Sequence, residues 1–106
     1  SNYQNEDLHA LSLTFQALAN PNRLQLLIQI IDAGQHRTKA INSCCIGEIG
    51  RAMDIAPSTL SHHIKELQRA GLVLTERRGR HIHCRINTDT HARLVNFLAA
   101  FQSSVD

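Results

Sequence analysis

The segment from Pro57 to Ala70, with the two alternating stretches behind it, limits what this 106-residue chain can fold into more than any other feature. At 100° per residue, Leu60, Ile64 and Leu67 share one side of a helix, with Ala56 and Ala70 flanking them. Ser58, Ser61, His62, Lys65 and Arg69 stand opposite, and Thr59 and Glu66 lie at one margin. Pro57 suits a first helical turn and Gly71 a helix end. Leu72–Arg78 and Arg80–Ile86 then alternate about Gly79, which predicts a β-hairpin with a tight basic tip. Ahead of all this, Ile46, Ile49 and Met53 recur at helical spacing, so Ile46–Met53 is a short helix joined to the next one by the turn Asp54-Ile55-Ala56. Two short helices across a tight turn, followed by a hairpin, have the layout of a winged helix-turn-helix.

The rest of the chain is helical. Leu8, Leu11, Phe15 and Leu18 form a first stripe, widened by Ala10, Leu13 and Ala17, and residues 1–7 read as a flexible tail. Asn20 caps a second helix that opens on Pro21 and is expected to stop at Gly34. Leu24, Leu26, Leu27, Ile28, Ile30 and Ile31 make that helix apolar nearly all round, so it is expected at the buried centre. Gln35 to Asn42 is polar and aperiodic, a loop. A last helix starts near Thr88 or Asp89 and carries Leu94, Val95, Leu98 and Phe101 on one side. The whole, residues 1–106, reads as one mainly α domain with a β-hairpin wing, in the order α-α-α-α-β-β-α.

Composition bears on assembly and on function class. A domain of this size buries about two thirds of its unfolded surface, and three Phe, one Tyr and no Trp leave the core to aliphatic residues. Sharing that core across a subunit interface predicts a homodimer through Leu8, Leu11, Phe15, Leu94, Leu98 and Phe101 on the first and last helices. No apolar run approaches the roughly 18 residues of a membrane span, so the expected location is cytoplasmic. Three Cys, two of them adjacent, suit reduced thiols better than a disulfide framework. A Gly-rich phosphate loop, a paired acid and base and an activated nucleophile are all missing, which argues against an enzyme.

What the pattern does suit is duplex DNA. Short donors and acceptors at the start of an amphipathic helix reach base edges in the major groove, and the free N–H groups of that end favour a phosphate. Ser58, Thr59, Ser61, His62, Lys65 and Arg69 are the candidate contacts, while His63, at the edge of the apolar side, is expected to pack and hydrogen-bond. Arg77, Arg78 and Arg80 place three guanidinium groups on the hairpin, offset only by Glu76, and suit the backbone or a minor groove. A rigid dimer of such units predicts a two-fold symmetric operator. A winged-helix module that binds protein is the rival reading, and the basic wing speaks against it.

Three stretches resemble the ArsR/SmtB group of bacterial repressors: Ala17-Leu18-Ala19-Asn20-Pro21-Asn22-Arg23-Leu24, the run Ser58 to Leu67 continuing into Ala70-Gly71-Leu72-Val73, and Arg77-Arg78-Gly79-Arg80. The resemblance spans Leu8 to Phe101. It implies a dimeric winged-helix repressor whose DNA affinity falls when an effector, often a metal ion, binds or a thiol is oxidised.

The effector sites that the resemblance implies are incomplete. Aligned on Ile46-Gly47-Glu48-Ile49, Cys45 takes the first place of the group's Cys-x-Cys and Gly47 the second. Asp89-Thr90-His91 matches half of a second site, but Gln102 and Val105 fall where its cross-dimer ligands belong. Asp89 is then expected as a helix cap. No metal site and no cofactor are expected on this ground, and His9, His36, His81 and His83 show no ligand spacing in the sequence. Cys44 and Cys45 remain as candidate sensing thiols, since a helix start lowers a thiol pKa. The alternative is a metal-sensing repressor with a soft ion or arsenite at Cys44 and Cys45. Cys84, in step with Ile82 and Ile86, is expected to be a small buried residue.

Overall fold

The computed structural model describes residues 3–35 and 44–103; for Gly34, Gln35, Cys44 and Ser103 it describes the backbone alone. Five helices, α1 (Asn5–Leu18), α2 (Pro21–Gln35), α3 (Ile46–Ala52), α4 (Pro57–Arg69) and α5 (Thr88–Ser103), accompany three strands, β1 (Cys44–Cys45), β2 (Val73–Arg78) and β3 (His81–Ile86). The strands form one antiparallel sheet in the order β1-β3-β2.

Each boundary has a local cause. The Gln4 backbone N–H donates to the Asp7 carboxylate at 3.2 Å, which starts α1 at Asn5. Asn5 to Asp7, read from the sequence as tail, are therefore helical. The Asn20 side chain accepts from the N–H groups of Asn22 and Arg23 at 2.9 and 3.2 Å, a cap for α2. Asn87, rather than Asp89, does the same for α5, accepting from the Asp89 N–H at 3.1 Å. Gly34 does not stop α2, which continues to Gln35; a lone glycine lowers helix propensity by only about 1 kcal/mol. Gly79 turns the hairpin at φ +62°, with the β2–β3 register running from Val73 opposite Ile86 to Arg78 opposite His81.

The core gathers Leu26, Leu27 and Ile30 of α2, Ile46 and Ile49 of α3, Leu60, Ile64 and Leu67 of α4, then Leu72, Val73 and Cys84. Cys84 is fully enclosed, as expected, but Ile82, in step with it along β3, is exposed toward the hairpin tip. The centrality expected of α2 holds for one side only: Leu26 and Ile30 are sealed, but Leu24, Ile28 and Ile31 remain exposed. A helix can press only one stripe into a core this small, and the apolar residues on the outer face of α2 stay 37–47% exposed. The loop Gln35 to Asn42 falls largely outside the described residues, and two residues after it lies an element the sequence reading omitted, β1, whose Cys44 and Cys45 pair with Cys84 and His83.

Candidate nucleic-acid interface

The two short helices are locked together by absence of a side chain. A Cβ on Gly50 of α3 would lie 2.5 Å from Leu60 Cδ2 of α4, so only glycine admits this approach. The turn between them passes through Asp54 at φ 56°, a left-handed conformation that Asp tolerates better than most residues. With Leu60, His63, Ile64 and Leu67 buried, Ser58, Thr59, Ser61, His62, Lys65 and Arg69 are left exposed along the other side of α4. None of those six was misplaced by the sequence reading. Arg69 Nη1 sits 3.2 Å from Glu66 Oε1 and so is held along the helix.

The wing adjoins this surface because α4 packs against β2. Arg77 and Arg80 are exposed and, among the described residues, make no ion pair. Arg78 is half-buried and engages Glu76 at 3.2 Å. The three guanidinium groups are thus unequal: two are free for a polyanion and one is partly neutralised.

His63 fits only half of its expected role. It packs, at 6% exposure, but its Nδ1 finds no hydrogen-bond partner among the described residues. Burial first, then the charges of Arg23 and His62, hold its pKa below the ordinary 6.5, so it is a neutral filler beneath the exposed His62.

Residues 20–75, more than half of the chain, match the family described as bacterial regulatory protein, arsR family. The chain belongs to the ArsR family. This transcriptional regulator is 32% identical over 90 residues, 85% of the chain and 69% of the relative, to the biofilm growth-associated repressor of Agrobacterium fabrum. It is 34% identical over 62 residues, 58% of the chain and 49% of the relative, to the transcriptional activator HlyU of Vibrio cholerae. Its fold is that of the homodimeric winged helix-turn-helix DNA-binding domain of a possible ArsR-family regulator from Mycobacterium bovis: TM-score 0.70, 24% identity, 97% of this chain and 87% of the other. No helix among the described residues is long and apolar enough to cross a membrane.

The opposite end of the ArsR-family protomer is built from α1 and α5. Leu8, Phe15, Leu98 and Phe101 are 40–57% exposed, while Leu11 and Leu94 are half-buried and line a groove of about 540 Å³ between the two helices. Phe97, missed by the sequence reading, joins them: its ring lies 5.7 Å from Phe15, 5.2 Å from Phe101 and 6.0 Å from Tyr3. Two buried hydroxyls connect this end to the recognition face. Thr14 Oγ1 donates to the carbonyl of Ala70 at 3.1 Å, and Thr90 Oγ1 to that of Gly71 at 2.6 Å. Both helices are thereby tied to consecutive residues at the C-terminal end of α4. The only trace in the sequence was a Thr at an apolar position of each stripe.

Of the effector positions that the family resemblance implied, Gly47 does stand beside the sulfur, since a Cβ there would lie 3.9 Å from Cys45 Sγ, and it offers no ligand. Asp89, His91 and Gln102 are exposed on α5; Val105, His36 and the Cys44 side chain lie outside the described residues. Cys45 is buried and is the N-cap of α3. Its Sγ lies 3.8 Å from His81 Nδ1, a neighbour that sequence spacing did not suggest.

Proposed function

We propose that this ArsR-family regulator binds duplex DNA sequence-specifically as a homodimer, and that an effector acting through the thiols at Cys44 and Cys45 releases it. The observation that carries the DNA reading is the exposed row Ser58, Ser61, His62 and Lys65 on a helix whose apolar back is buried, with Arg77 and Arg80 on the adjoining wing exposed and without an ion pair among the described residues. Short polar side chains on the first turns of such a helix read base edges, and the guanidinium groups hold the backbone. The dimer reading is supported by the apolar α1–α5 surface left open in the protomer, and by the homodimeric state named for the Mycobacterium bovis neighbour. Repression is favoured by the Agrobacterium fabrum relative, which has the wider overlap of the two named.

A footprint on the regulator's own promoter tests this. Protection should be two-fold symmetric, with half-site centres about 10 base pairs apart or a multiple of it. Ser61→Ala or His62→Ala should lower discrimination against random DNA by about 1–3 kcal/mol, while Arg80→Ala should weaken binding to all sequences and flatten the salt dependence by about one unit per lost contact. A footprint without dyad symmetry refutes the dimer, and base preference that follows Arg80 instead of His62 refutes the assignment of roles.

A further inference from the structure

Arg51 stands on the exposed side of α3, away from the buried Ile46, Ile49 and Gly50. It makes no ion pair among the described residues, although Glu48 lies one turn before it on the same helix. Helical side chains lean toward the N-terminus and cover the turn that precedes their own. Arg51 does so: its Nη1 lies 3.4 Å from the point that a Cβ on Gly47 would take, and Cys45 Sγ lies 3.9 Å from that same point. Cys45 Sγ is in turn 3.8 Å from Nδ1 of His81, the first residue of β3 and the chain neighbour of Arg80. The guanidinium of α3 is thereby carried to the side of the protomer that bears the wing. The recognition helix lies on the other flank. Gly50, next to Arg51 in the chain, is the residue that Leu60 presses against, and Leu60 belongs to the first turn of α4 with Ser58 and Thr59.

We propose that Arg51 is a further DNA contact, gripping a backbone phosphate between the groove read by α4 and the stretch held by the wing. The assignment rests on the DNA-binding function proposed above. A duplex engaged by the first turns of α4 and by Arg77 and Arg80 runs its phosphodiester backbone through the space between those two places, and Arg51 stands at that space. In a helix-turn-helix it is the first of the two helices that crosses the backbone. A guanidinium without a carboxylate partner suits a phosphate well, since its planar fork matches two of the oxygens. Such a contact fixes the register of the duplex on the protein and reads no base. Glycine at position 47 leaves the guanidinium unscreened, because no side chain covers it from that side.

Binding of the purified full chain to its promoter DNA and to a random duplex, each measured across a range of salt concentrations, tests the contact. Arg51→Gln should weaken binding to both duplexes by the same factor and flatten the slope of log affinity against log salt by about one unit per protomer. Arg51→Lys should retain the slope, because the charge is kept, and lose part of the affinity, because an ammonium offers no bidentate fork. Arg51 is exposed, so both variants keep the fold, which their unfolding transitions check. A wild-type slope in Arg51→Gln, a loss of affinity confined to promoter DNA, or a slope lost in Arg51→Lys as well overturns the phosphate contact. Wild-type protein that binds neither duplex overturns the DNA reading instead.

Discussion

The end of the protomer built from α3, α4 and the wing and the end built from α1 and α5 use the same kind of amphipathic helix with opposite results. On α4 the apolar residues Leu60, Ile64 and Leu67 all find partners inside the chain, and what is left outside is polar. On α1 and α5 much of the apolar stripe itself is outside: Leu98 is 50% and Phe101 57% exposed. An apolar surface satisfied at home makes a rigid platform for small polar contacts, whereas one left unsatisfied favours association with a second copy. Thr14 and Thr90 hydrogen-bond the helices of the one end to the C-terminal end of α4 in the other.

The largest expected effect comes from spoiling the open end alone. Leu98→Asp combined with Phe101→Asp should give a folded monomer in sedimentation at micromolar concentration, with operator affinity lowered about 10²–10⁴-fold because the second half-site no longer acts in concert. A dimer that survives both charges would place the interface elsewhere and dissolve the contrast. Spoiling the closed end should act on folding instead. Gly50→Ala forces Leu60 out of its place and should cost about 1–3 kcal/mol in denaturant unfolding, with dimerisation retained.

The join between the ends can be cut by Thr14→Val and Thr90→Val, which keep shape but leave the Ala70 and Gly71 carbonyls without these donors. Each should cost about 1 kcal/mol of stability, and the pair should weaken operator binding while sedimentation still shows a dimer. Unchanged DNA affinity would mean that the two ends are independent. The smallest effect concerns His63. Its pKa is lowered in the folded state, so the unfolded chain takes up a proton near 6.5 that the folded chain refuses. The contribution is complete above about 6.5 and is lost as the pH falls toward the lowered folded value. His63→Gln removes that dependence, so the stability difference between wild type and variant should shift in favour of the variant between about pH 7.5 and about pH 5.5. A difference that stays constant would show that His63 is protonated alike in both states.

The helix order, the hairpin and the polar face of α4 were legible because each is written in local periodicity: a 3.6-residue stripe, a two-residue alternation, a Pro at a start and a Gly at a turn. Ser58 to Arg69 could be assigned to a face before any fold was known, since the apolar back of their own helix fixes the direction of the front. Helix ends were less legible. Asn87 took the cap expected of Asp89, and α2 ran through Gly34, because such ends are settled by small competitions between neighbouring residues.

What periodicity could not convey was distance between segments far apart in sequence. The amino-acid order alone establishes that α2 is apolar nearly all round; that Leu26 and Ile30 are sealed while Leu24, Ile28 and Ile31 are open depends on which elements happen to cover it. It shows glycine at position 50, but the need for glycine exists only where Leu60 arrives at 2.5 Å from an added Cβ. It shows His81 and His83 as scattered histidines, and only the pairing of β1 with β3 sets them against Cys45. Local pattern decides which way a side chain faces on its own element; packing, which is a property of the whole chain, decides what it meets there.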